Sequence, residues 1–267
     1  MSQYICYSNG ERVAQYMIGI EVDPKSTKGS DEGYLTAVQY FAPNKISGFN
    51  VCIDATIGCI EACLFTAGKG RFSMVREARI RRTLFFFKER DAYFAQLIKE
   101  ILALIRKAKR RNMTPAVRLN GTSDLPWERI AFTYQGVRYA NIMQLFPELQ
   151  FYDYTATGSR LLNELPNNYD LTFSFKETEA NHVMADLLLR MGKRVAAVFN
   201  VKTGYVKGTH IHKHPLPTHY AIGDHTYTVT NGDVNDLRFI DPQGVIVGLR
   251  AKGDARKDTS GFVLQVA

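Results

Sequence analysis

Cys52, Cys59 and Cys63 fall within one short stretch, F-N-V-C-I-D-A-T-I-G-C-I-E-A-C-L-F-T-A-G-K-G-R at residues 49–71, and the chain has only one other cysteine, Cys6. Thiolates gathered in one loop hold soft metals or iron–sulfur clusters. The spacing is C-x6-C-x3-C, which departs from the C-x2-C pairs of zinc ribbons and fingers. Three thiolates leave one position open on a four-coordinate metal, or on one iron of a cubane cluster, and an open position admits chemistry. The alternative is three small side chains that merely pack, since cysteine is among the most buried residue types. A fourth ligand, in a closed site, would be Cys6 or a histidine.

A second set of polar residues recurs after apolar runs that read as strands. Asn120, Gly121, Thr122, Ser123 and Asp124 follow Ala116 to Leu119, and Asp153 and Thr155 fall at the end of Gln150 to Tyr154. Lys176 and Glu177 follow Leu171 to Phe175, and Asn200 follows Val195 to Phe199. In parallel α/β folds the working residues sit at the C-terminal ends of strands. Asp124, Asp153 and Lys176 are therefore the candidates to bind a polar ligand or move a proton. Alternation along Phe151 to Thr155 sets Asp153 opposite the two tyrosines. Each group also has a plainer reading as turn or capping chemistry.

The elements that must position these groups follow from periodicity. A strand near Phe49 to Ile53 is expected to lead into the cysteine loop. Helices are expected over Ser73 to Phe87 and over Asp91 to Arg111, the second with a broad apolar face from Phe94 to Ile105. Shorter strand and helix units then alternate to Phe199. That rhythm predicts an α/β fold, a partial parallel (β/α) barrel of about six strands. Residues 1–45 are expected to form a β-rich arm packed on a main domain of residues 46–267, which ends in a His-, Gly- and Pro-rich extension. His210, His212 and His214 would share one face of a strand as a metal or phosphate site, or lie in a loop before Pro215 and Pro217.

The 267 residues suit one α/β domain, and 45% hydrophobic with 22% charged residues is ordinary for a soluble globular chain. No apolar stretch is long enough to cross a bilayer and no secretory signal is evident, so a reducing cytoplasm is expected and no membrane partner. The net charge is +8. The excess gathers at Arg71, Arg76, Arg79 and Arg82, and again from Arg106 to Arg111, which points to phosphates of a nucleotide or nucleic acid or to solvated helix faces.

The cysteine loop with L-F-T-A-G-K-G, then R-L-N-G-T-S-D at 118–124, F-Y-D-Y-T at 151–155 and N-G-D-V-N-D-L-R-F-I-D-P at 231–242, resembles the gene product 88 family of bacteriophage proteins from about Lys45 onward. That resemblance implies phage origin and a bacterial host cytoplasm, and brings no reaction with it. A cysteine loop after the first barrel strand and a Gly-containing motif after the second are also similar to radical S-adenosylmethionine enzymes. There the resemblance implies a [4Fe-4S] cluster on Cys52, Cys59 and Cys63, with Asn120, Gly121 and Thr122 near the methionine end of S-adenosylmethionine. The usual spacing in those enzymes is C-x3-C-x2-C, and this loop is longer in both gaps. A zinc-stabilised nucleic-acid-binding or host-takeover protein without catalysis is the rival expectation.

Overall fold

Short β-branched and aromatic runs separated by helical segments call for a sheet with covered faces. The computed structural model describes residues 4–6, 12–14, 16–21, 27–201, 203–206, 209–212 and 215–266. Its strands are β1 (Tyr4–Cys6), β2 (Arg12–Ala14), β3 (Ile18–Ile20), β4 (Tyr34–Gln39), β5 (Thr114–Arg118), β6 (Phe132–Tyr134), β7 (Val137–Tyr139), β8 (Gln150–Thr155), β9 (Tyr169–Ser174), β10 (Val195–Phe199), β11 (Thr203–Val206), β12 (Thr209–His212), β13 (His219–Ile222), β14 (His225–Asn231), β15 (Ile246–Arg250) and β16 (Val263–Leu264). Its α-helices are α1 (Ile57–Glu61), α2 (Ser73–Lys88), α3 (Arg90–Arg110), α4 (Ile142–Leu145), α5 (Ser159–Leu162) and α6 (Glu179–Arg190).

The result is a mixed α/β fold around a mostly parallel ten-stranded sheet. β4, β5, β8, β9, β10 and β15 lie side by side in chain order, each parallel to the next. β14 adds a parallel strand beyond β15, while β13 and β3 form antiparallel edges. The two edges do not pair, so no closed barrel forms among the described residues.

Two local expectations are corrected. The first strand of the parallel run is β4, inside the segment expected as an arm, and residues 49–53 form turns rather than a strand. The physical reason is local: Asn44 and Gly48 take positive φ values of 50° and 87°, and the Asn50 carboxamide accepts from Cys52 N at 3.0 Å, closing a turn where a ladder would need an extended chain. Pro115 proves compatible with β5, paired with Leu35 of β4.

α3 supplies more of the core than any other single element. Tyr93, Phe94, Leu97, Ile98, Ile101 and Leu104 are buried on one face, in the same cluster as Leu35, Val117 and Phe151 of the sheet. Trp127 is wholly buried among Phe41, Phe86, Tyr93 and Phe94, and Phe94 stacks on Phe132 with centroids 4.1 Å apart. The hairpin β6–β7 that carries Phe132 turns on Gln135 and Gly136, both at positive φ.

One carboxylate interrupts the apolar face of α3. Glu100 accepts from Met17 N at 2.8 Å and Ile18 N at 2.9 Å, fixing β3 at the sheet edge, and burial raises its pKa. Glu100→Ala strands two main-chain N–H groups, so stability should drop by about 2–3 kcal/mol. Amide exchange at Met17 and Ile18 should rise with it, and unchanged protection there would refute the clamp.

Candidate functional site: a three-cysteine loop across the strand ends

Parallel strands bring their C-terminal ends to one rim, and the loops that leave this rim are neighbours whatever their distance in sequence. The loop after β4 runs through all three clustered cysteines before α2 begins. It is irregular for local reasons. Thr56 caps α1 by accepting from Cys59 N at 3.3 Å, and Cys63 opens a 3-10 turn, Leu64–Thr66. Gly70 lies so close to the Phe65 carbonyl that a Cβ would collide with it.

Four other strand ends hold the loop down. After β5, Asp124 N donates to Val51 O at 2.7 Å and the Thr122 hydroxyl donates to Phe41 O at 2.6 Å. After β8, the Thr157 hydroxyl meets the Asp54 carboxylate. After β9, the Lys176 ammonium meets Asp54 O, while Glu177 takes the Thr56 hydroxyl at 2.8 Å and Gly58 N at 3.0 Å. Beyond β15, Ser260 and Phe262 press on Gly58, where any Cβ would overlap them.

Cys52, Cys59 and Cys63 are half-buried thiols with no disulfide. The Cys52 sulfur accepts from Asn44 N at 3.4 Å and lies 3.9 Å from Thr122 O. Burial pushes the Cys52 thiol up to about 12, with further upward pressure from Cys63, Asp124 and Cys59. Burial likewise pushes Cys59 up to about 11, opposed by Lys176 and reinforced by Cys63, Glu177 and Asp124. A Cys63 thiolate thus disfavours ionisation of both Cys52 and Cys59. Among the described residues, no group of three or more His, Cys, Asp or Glu side chains is arranged to hold a single metal ion.

The remaining sequence candidates divide. Asn120 is buried and fully engaged: its carbonyl accepts from Leu125 N, the Ser123 hydroxyl and Trp127 Nε1, and its amide donates to Leu125 O and Asp153. Asn120 and Ser123 therefore shape their own loop. Gly121 has a different task, since a Cβ there would collide with Gln39 O and the Tyr40 ring, so the β5 loop can cross the end of β4 only without a side chain. Asp124 is bonded to Ala156 N and to Arg160, both at 2.7 Å, and burial raises its pKa. Asn200 pins the C-terminal segment through Gln265 and Val266 and contacts none of the cysteines.

Asp153 does lie on the face opposite Tyr152 and Tyr154, as alternation requires, and that face is covered by the helices. Its carboxylate is wholly buried and accepts from Asn120 N at 2.6 Å and Tyr169 Oη at 2.9 Å. The other face of the sheet carries Arg118, bridged to Asp236 at 2.7 Å with its guanidinium 4.5 Å from the Tyr154 ring centroid. Phe239 covers it, edge-on to Tyr152 at 5.3 Å. Sequence reasoning missed Arg160, which joins Asp124 and Glu128 across the rim, and no local pattern marks it.

The basic clusters also divide. Arg71 and Arg76 are exposed at the cysteine loop, Arg71 donating to Thr66 O at 2.7 Å and Arg76 lying over the Phe65 ring. Arg79 is buried against Tyr40 and Phe65, and Arg82 donates to Tyr16 O and Tyr40 O, so both are occupied within the fold. The cluster from Arg106 to Arg111 ends α3 just before β5 begins, at the opposite end of the sheet, where Lys107 and Arg111 clamp Glu21 at 2.9 and 2.5 Å. The side chains of Cys6, His210 and His212, and His214 altogether, lie outside the described residues. No described helix is long and apolar enough to cross a membrane.

Fold and rim together define an α/β protein with a three-cysteine loop stapled over the strand ends of a mostly parallel sheet. The chain belongs to the gene product 88 family, whose profile matches residues 20–265. No curated protein and no solved structure matches it.

Two outcomes follow. At pH 8 the metal-free protein should be alkylated at Cys52 and Cys59 at least about tenfold more slowly than a free cysteine, because the thiolate is the nucleophile; rates equal to the free amino acid would refute the burial. The second concerns Asp153, which burial pushes up to about 7 while an unfolded aspartate titrates near about 3.9. The folded state holds that proton more tightly, so the group's stabilising contribution is complete below about pH 4 and is lost as pH rises to about 7. The unfolding free energy of wild type relative to Asp153→Asn, from urea titrations, should decline over that window, and a constant difference would refute it.

Proposed function

We propose that the protein is an iron–sulfur enzyme of radical S-adenosylmethionine-like type, acting on a nucleotide or nucleic acid in the cytoplasm of an infected bacterium. The observation that carries this reading is the order of the strands. Six of the seven parallel strands lie in chain order, as in an open (β/α) barrel segment, while β14 adds the seventh out of order beyond β15. The cysteine loop leaves the first of these strands, and the Asn120-Gly121-Thr122 turn leaves the second and reaches back to Cys52 and Phe41.

The donor set suits a cluster. Cys63 disfavours the thiolates of both Cys52 and Cys59, a penalty that a cationic centre among the three would offset. Zinc bound by all three would draw the sulfurs to about 2.3 Å from one ion. A cubane does not require that approach, because each cysteine binds its own iron. Cys52, Cys59 and Cys63 would hold the [4Fe-4S] cluster, whose chemistry is one-electron transfer.

The chain's own residues then have distinct tasks. Asn44 N supports the Cys52 sulfur by hydrogen bonding. Lys176, only 2% exposed, favours the Cys59 thiolate electrostatically. Thr122, half-buried with its hydroxyl bonded to Phe41 O, is the part of the β5 loop left to approach a cofactor, since Asn120, Gly121 and Ser123 are consumed internally. Arg71 and Arg76 offer charge for substrate phosphates beside the loop.

Anaerobic purification should give a broad absorbance near about 400 nm with about four irons and four sulfides per chain. Cys59→Ser should abolish it. Colourless protein with about one zinc per chain, or an unchanged spectrum in the serine variant, would overturn the assignment.

A further inference from the structure

Glu177 is an acidic residue placed where the cysteine reading alone would not ask for one, since a second negative charge beside a thiolate is unfavourable. Its geometry explains its presence. One carboxylate oxygen accepts from Gly58 N at 3.0 Å and the other from the Thr56 hydroxyl at 2.8 Å. Thr56 in turn accepts from Cys59 N at 3.3 Å. The hydrogen bonds therefore run in a relay, Cys59 N–H to Thr56 Oγ1 and Thr56 O–H to Glu177.

The helix held in this way is α1, only five residues long, too short to persist without outside support. Two of the main-chain N–H groups left without an intrahelical partner at its start, those of Gly58 and Cys59, are satisfied through Glu177. Gly58 lies against Glu177, Ser260 and Phe262 with no room for a Cβ, so the start of α1 is fixed on two sides. Cys59 lies within α1 and Cys63 two residues past its end. The adjacent residue Lys176, on the same strand end, secures Asp54 O just before α1 begins.

We infer that Glu177 is a positioning residue: acting through Thr56, it sets α1 against the end of β9 and so fixes where Cys59 and Cys63 stand relative to Cys52. This inference rests on the cysteine-site reading for its functional meaning, and on hydrogen-bond geometry alone for its structural claim.

The test uses the full chain and takes Cys52, which lies outside α1, as the internal control. In metal-free protein at fixed pH, iodoacetamide labelling of each cysteine is followed by peptide mass spectrometry. Glu177→Ala should speed labelling of Cys59 and Cys63 about tenfold or more, through local opening of α1, and leave Cys52 within about twofold. Glu177→Gln, which keeps an acceptor oxygen, should recover most of the protection. Should Glu177→Ala accelerate all three cysteines equally, as general unfolding would, Thr56→Ala decides: faster labelling confined to Cys59 and Cys63 supports the relay, and unchanged or uniform labelling overturns it. Labelling of Cys59 unchanged in Glu177→Ala overturns it directly.

The same variants are then loaded anaerobically with iron and sulfide. Uptake by wild type and Glu177→Gln with loss in Glu177→Ala supports the positioning role, and equal uptake by all three overturns it. Absence of uptake by wild type defeats the cluster reading alone, because the labelling result stands without any metal.

Discussion

The rim depends on one buried ion pair network. Arg160, 3% exposed, bonds Asp124 at 2.7 Å through one nitrogen and grips Glu128 in a two-pronged contact through the other two. Asp124 also receives Ala156 N, and its own N–H goes to Val51 at the start of the cysteine loop. The loops after β4, β5 and β8 are thus joined through a single aspartate. Breaking a buried pair of this kind by removing one partner costs about 3–5 kcal/mol, since the survivor is left charged and unpaired. The network therefore acts first on position. Because Asp124 ties together loops from three different connections, none can move without disturbing the others.

Above this network the thiols experience opposed fields. Lys176 and Glu177 are consecutive residues at the end of one strand, and they act on Cys59 in opposite senses. In a strand's exit turn two neighbours can reach the same loop, one supplying charge and the other hydrogen bonds to the backbone. Burial dominates both, so the uncombined Cys52 and Cys59 thiols stay protonated at neutral pH. A loop tuned this way is quiet when empty and gains stability from whatever lets its sulfurs ionise. Metal binding to such a loop releases protons and is stronger at higher pH.

How far the sequence could be read depended on whether the relevant physics was local. The period of α3, the strands β8 and β10 and the order of strands and helices are local patterns, and they led to the right class of fold. Alternation in β8 separated Asp153 from its neighbouring tyrosines correctly. Which face was covered by helices was not decided by alternation, because a parallel sheet is covered on both sides and both faces carry polar residues here. The strand misread at 49–53 shows the same limit: V-C-I is apolar enough for a strand, but Asn44, Gly48 and Asn50 bend the chain around it. Arg160 was invisible because its partner Asp124 lies 36 residues away in sequence. Glu177 could have been suspected only once Thr56 was known to cap a helix.

The excess positive charge gains a different meaning once the topology is known. A helix that returns the chain from one strand to the next parallel strand must end at the strands' N-terminal edge, so the cations closing α3 stand a full sheet's length from the cysteine loop. There, two of them are held by Glu21 and stabilise the C-terminus of α3, where positive charge is favoured by the helix dipole. Of the first cluster, Arg79 and Arg82 are spent on Tyr40 and Tyr16 inside the fold. A single basic track linking both clusters to the cysteines is therefore incompatible with the fold. At a Debye length of about 8–10 Å in physiological salt, the far cluster contributes little to the field at the cysteine loop, where Arg71 and Arg76 are the exposed cations of the first cluster.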